Sequence, residues 1–150
     1  EQELVVVLSE VQPLIVAGER VLLCGDFNEP SHLDWTLASA RKGRHFGLEM
    51  AWPCSRRVVD CGMKDAYRAV FPDVYHHPGC TWTSAPGLGV GGSERAEDEV
   101  HDRIDFVYHA GPGLDPISAS IVEESSHEAD LAVSPFPSDH RAVAVIYHLV

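Results

Sequence analysis

Residues 20–30 read RVLLCGDFNEP, and this stretch decides the fold. Val21 to Cys24 is a short apolar run that breaks at Gly25, the pattern of a buried strand. The break leaves Asp26 and Asn28 at the strand's end, where a scaffold fixes the backbone while side chains reach a surface cleft. The same arrangement occurs twice more along the chain. His101 to His109 alternates, with Ile104, Phe106 and Tyr108 on one face and Arg103, Asp105 and Val107 on the other. Asp102-Arg103-Ile104-Asp105 opens that strand. Ser138-Asp139-His140-Arg141 precedes Ala142–Val150, a final strand so apolar that a sandwiched position is expected for it.

Helices fill much of the remainder. Leu4, Val7, Leu8, Val11 and Leu14 or Ile15 follow helical spacing, with Gly18 as the stop and Pro13 as an interruption. Ser31 and Asp34 form a capping-box pattern that predicts a helix through about Arg41, ended by Gly43. Residues 54–71 hold one or two helical segments, with Asp65 near the start of the second and Pro72 closing it. Gly79 to Thr83 and Ile117 to Val122 are strand candidates. Residues 84–100 lack apolar periodicity and read as a long loop, and Glu123 to Asp130 reads as a solvated acidic segment. The expected fold class is α/β. Val21–Cys24, Ile104–Tyr108, Ile117–Val122 and Ala142–Val150 should share one mixed or mostly antiparallel sheet with covering helices.

At 150 residues, 45% apolar and 23% charged, the chain suits one domain with a core, and wholesale disorder is excluded. No run of about 18 apolar residues offers a transmembrane segment. The chain opens EQELVVVLSEVQP, with no basic segment before its apolar run. No signal peptide is read there, and the compartment stays open. Eleven basic against 23 acidic residues leave a net charge of −12. Basic footprints are small: Arg41, Lys42 and Arg44, then Arg56 and Arg57. Strong duplex DNA binding by this chain alone is therefore not expected. So acidic a chain can concentrate divalent cations, or the charge can serve solubility alone. Cys24, Cys54, Cys61 and Cys80 form no C-x-x-C pair, so a structural zinc site is not expected. Cys24 reads as a buried thiol.

The three strand-end segments carry the candidate chemistry. Asp26 and Asp139 offer hard carboxylate oxygens suited to Mg2+ or Mn2+, and Asn28 adds an amide able to orient a water or a phosphate oxygen. His140 can hydrogen-bond a non-bridging phosphate oxygen, with Asp105 as the carboxylate that fixes its tautomer. Each residue also has a plainer reading. A Gly-Asp after a strand is commonly a turn, Asp65 and Asp102 are commonly local caps, and lone histidines commonly pack. His76 and His77 are adjacent, so in a strand they would point to opposite faces.

The motifs GDFNEP at 25–30, DRIDFVY at 102–108 and SDHRAV at 138–143 resemble consecutive C-terminal motifs of the endonuclease/exonuclease/phosphatase superfamily, the deoxyribonuclease-I-like fold. AWP at 51–53, KDAYR at 64–68 and TWT at 81–83 are similar to segments of uncharacterised bacterial members. The resemblance covers nearly the whole chain. It implies a metal-dependent phosphoesterase that hydrolyses a phosphate-ester substrate by in-line attack of water. Asp26 would orient or deprotonate that water, and Asp26, Asn28 and Asp139 would form the metal set. His140, paired with Asp105 or alternatively Asp102, would hold the scissile phosphate. The family's domain is a four-layer α/β-sandwich about twice this length. Residues 1–150 accordingly read as its C-terminal half, with the N-terminal half and its metal-binding Glu absent. Such a fragment is expected to be inactive alone, and to pair with the missing half or self-associate through an exposed sheet face. The alternative is a non-catalytic fragment or interaction module that keeps the motifs.

Overall fold

The computed structural model describes residues 2–82, 101–123 and 129–150. Helix α1 (Gln2–Val16) runs through Pro13 and stops at Gly18, whose φ of +79° favours glycine. Strand β1 (Val21–Asp26) follows, then a turn at residues 32–34 and the short helix α2 (Leu37–Arg41). A left-handed turn at His45–Gly47 leads to α3 (Pro53–Asp60), β2 (Lys64–Asp65) and α4 (Ala66–Val70). Strands β3 (Asp105–Ala110), β4 (Leu114–Glu123), β5 (Leu131–Ala132) and β6 (Ala142–Leu149) complete the described elements. No helix among them is long and apolar enough to cross a membrane.

The strands form two small sheets rather than the single expected one. The first has the order β1-β3-β2 and is antiparallel throughout. The second has the order β5-β4-β6, with β4 antiparallel to β6 and parallel to β5. Each central strand, β3 and β4, has partners on both of its edges, so no ladder joins the two sheets among the described residues. Apolar periodicity tells which residues face a core, not which strands pair. The α/β class holds, and the one-sheet arrangement does not.

Two apolar clusters follow from this. Val21, Val58, Met63, Phe106, Tyr108 and Ala110 are buried together, and Leu4, Leu8, Val11 and Ile15 of α1 cover them. Tyr67, Ala119 and Ile121 form the second cluster beneath Val143 and Val145 of β6. Helix α1 covers one face of β1 only. Leu22 is therefore 54% exposed, and Cys24, expected to be buried, is exposed as well. Strand β6 is likewise covered on one face, with Ile146 60% exposed, so the sandwiched position expected for it is not seen.

A buried ionic cluster ties the helices to the start of β3. Asp34 Oδ1 accepts from Arg68 Nε at 2.6 Å and Asp34 Oδ2 from Arg103 Nε at 3.0 Å, while Asp65 lies 2.7 Å from Arg103 Nη2. Arg103, read as sharing a strand face with Asp105 and Val107, precedes β3 and is buried. Burial alone would raise the Asp34 carboxyl, but Arg103 and then Arg68 outweigh it and hold the group below the usual range. This also corrects the helix start expected at Ser31. Ser31 closes a turn by accepting from Leu33 and Asp34, Asp34 turns inward to the arginines, and Thr36 caps α2 by accepting from Ser39. Thr83, residues 84–100 and residues 124–128 of the acidic segment lie outside the described residues. Trp82 makes a single bridge to Asp102 where a short strand was expected.

Candidate metal and phosphate site

The antiparallel register of β1 and β3 sets Asp26 directly opposite Asp105. Two carboxylates in a cross-strand pair repel, so this placement disfavours stability unless a cation or a protonated partner lies between them. His140 supplies one such group. Its Nδ1 donates to Asp105 Oδ2 at 2.9 Å, and one ligand atom from each of Asp26, Asp105 and His140 lies within 4.8 Å of the others. Partial burial by itself would lower the His140 pKa. The hydrogen bond to Asp105, then the charges of Asp105, Asp26 and Asp139, overcome it and raise the pKa.

Asn28 holds Asp26 in place. The Asn28 backbone N–H donates to Asp26 Oδ1 at 2.7 Å and its side-chain amide to Oδ2 at 3.0 Å. That geometry needs Asn28 at φ +49°, a left-handed conformation that asparagine tolerates better than most residues. Phe27, between them, turns inward against the rings of Phe106 and Tyr108, and its N–H donates to Ile104. Glu29 caps the N-terminus of α3 by accepting from Cys54 N–H at 2.6 Å. Asp139 is exposed beside His140 and stands outside the three-residue cluster.

Asp102 points elsewhere. Its Oδ1 accepts from Trp35 Nε1 at 2.9 Å, and burial, with Asp34 nearby, raises its carboxyl despite the Trp35 bond. Asp105 is thus the carboxylate beside His140.

Two further residues shape the site without having been singled out by chemistry. The Trp82 ring packs at 4.9 Å from the imidazole of His140. Thr81 is wholly buried, and its hydroxyl accepts from the N–H groups of both Ile104 and Asp105 at 3.0 Å. The TWT segment at 81–83 was the available signal, and a sequence gives no hint of which backbone its first threonine will meet. Gly25, Asp105, Phe136, Ser138 and His140 border a groove of about 270 Å3. A larger cleft of about 600 Å3, bordered by Phe46, Tyr67, His77 and His101, contains none of the cluster residues.

No family model matches this chain. It is 30% identical over 132 residues to an uncharacterised protein of Caenorhabditis elegans, F14F9.5. The match takes in 87% of this chain but 41% of that relative, so the chain spans about two fifths of the relative's length.

Proposed function

We propose that this chain carries part of the active site of a divalent-metal-dependent phosphoesterase. The observation that carries the reading is the cross-strand pair Asp26–Asp105 with His140 donating to Asp105. Opposed carboxylates at the end of a sheet favour a positive charge between them, which a cation or the His140 imidazolium would supply. The residues present fit the implied metal in part: Asp26 offers hard oxygens that suit Mg2+ or Mn2+, and Asp139, next to His140 in sequence but outside the cluster, is the second carboxylate read for the set. A bound cation would neutralise phosphate charge and make a coordinated water more acidic. Asp26, held by the backbone and side-chain N–H groups of Asn28, would orient the attacking water or take its proton. Asp105 accepts from His140 Nδ1–H and favours the imidazolium, so that Nε2–H would donate to a non-bridging phosphate oxygen and stabilise its developing charge. The resemblance implies in-line attack with no covalent enzyme intermediate.

The resemblance to the endonuclease/exonuclease/phosphatase superfamily supports the same reading. In this view the two sheets and their helices are one half of a four-layer α/β-sandwich, and the uncovered faces of β1 and β6 meet the other half. Catalytic groups acting as a unit lose most of their effect when one member is missing. The test is hydrolysis of bis-p-nitrophenyl phosphate with Mg2+ or Mn2+. The 150-residue chain should show little or no turnover. A longer chain that supplies the other half should turn over only with metal, and Asp26→Ala or His140→Ala should cost it at least about a hundredfold. Full activity in both variants would remove the proposal.

A further inference from the structure

We propose that Thr81 is the positioning residue that locks the Asp105 and His140 segments together, acting through backbone contacts and touching no reacting atom. The inference deepens the site reading above and rests on it for its functional meaning. Two separate stretches of chain must stay in register for the pair to form: the start of β3 and residues 138–141. Thr81 contacts both. Its hydroxyl accepts from Ile104 and Asp105, and its carbonyl accepts from Arg141 N–H at 2.9 Å, one residue past His140. Its own N–H donates to Asp102.

Each bond has a consequence for the pair. Phe27 N–H already fixes the Ile104 carbonyl from the β1 side, so Thr81 completes the clamp on the peptide preceding Asp105. The hydroxyl uses both of its lone pairs in this, which leaves no slack for β3 to slide. The Arg141 bond sets the chain direction immediately after the imidazole, and Ser138 Oγ, accepting from His140 N–H, sets it before. Trp82, the next residue, lays its ring against His140. A valine at 81 would fill the same space but strand two N–H groups in a partly buried setting, and the backbone would move to re-satisfy them.

The test reads the imidazole directly, with no metal or substrate. The 150-residue chain is labelled with 15N-histidine, and the His140 tautomer is measured by NMR near pH 8.5, well above the ordinary histidine value. Donation to Asp105 holds the neutral ring as the Nδ1–H form, whereas an unpartnered imidazole favours Nε2–H. Thr81→Val should lower the ratio of Nδ1–H to Nε2–H roughly fivefold, the scale of one lost hydrogen bond. Thr81→Ser, which keeps the hydroxyl, should restore it. Ser55→Ala removes another buried hydroxyl that accepts from His32 N–H, and should leave the His140 ratio unchanged. If valine prevents folding, Thr81→Cys, which fills the space and accepts only weakly, should shift the ratio in the same direction. Folded valine or cysteine variants with the wild-type ratio would overturn the proposal. A shifted ratio together with metal-independent inactivity of the longer chain would instead leave Thr81 as the clamp and remove the phosphoesterase reading.

Discussion

His140 sits under two opposed influences, and which one wins has a measurable sign. Partial burial disfavours the imidazolium, while Asp105, Asp26 and Asp139 favour it, and the net effect is a raised pKa. A raised folded-state value means the pairing stabilises the fold fully below the unfolded value of about 6.5, and that contribution fades as pH rises through the folded value. Asp105→Asn removes the nearest charge and leaves the burial. In the variant the His140 pKa should fall, as followed by its ring proton shifts. The stability difference between wild type and variant should be larger at pH 5 than at pH 9. An unchanged titration would mean that the Asp105 contact does not govern the ring. At this scale much of the site was legible in the sequence. Asp26, Asp105 and His140 were named from strand-end position and side-chain chemistry, and they do converge. The choice between Asp105 and Asp102 was not legible, because it depends on which face of one strand opens toward residues 138–141.

At the scale of elements, the cluster of Asp34, Asp65, Arg68 and Arg103 does the bracing. Asp34 receives both guanidiniums in a buried setting, so removing it takes the carboxylate partner from Arg68 and leaves Arg103 with Asp65 alone. Asp34→Ala should destabilise by about 3–5 kcal/mol in urea unfolding. Arg56→Ala breaks only the exposed pair with Asp60 and should cost no more than about 0.5 kcal/mol. Similar losses in the two variants would contradict the bracing role. Because the Asp34 carboxyl is held low, its contribution is present above the ordinary carboxylate range and is lost as pH falls through the folded value. The sequence pattern misassigned this very residue. Ser31 and Asp34 have capping spacing, but a partner 69 positions away in Arg103 outcompetes a local cap. Strands β2 and β5 were invisible for another reason: two residues carry no periodicity, and only the neighbouring strands call them into a ladder. Helices α1, α3 and α4 were readable because their spacing and stops are local.

For the molecule as a whole, the uncovered sheet faces set the behaviour of the 150-residue chain in solution. Leu22 and Ile146 are more than half exposed, as are Ile117 and Leu149 on β4 and β6. Exposed apolar residues scattered singly are ordinary, but residues on the open faces of paired strands can be covered together by another surface. Where the rest of a longer chain does not cover them, a second copy is the available cover. Opposing this is the net charge of −12, which makes two copies repel. The two effects respond oppositely to salt: the Debye length falls from about 10 Å at 0.1 M to about 3 Å at 1 M, while apolar burial persists. The weight-average mass in sedimentation should therefore rise with protein concentration, and rise further as salt increases. The double variant Leu22→Glu/Ile146→Glu should remain monomeric in both conditions, since it removes apolar cover and adds repulsion at once. If wild type stays monomeric at high salt, or the double variant associates equally well, these faces are not what the chain buries.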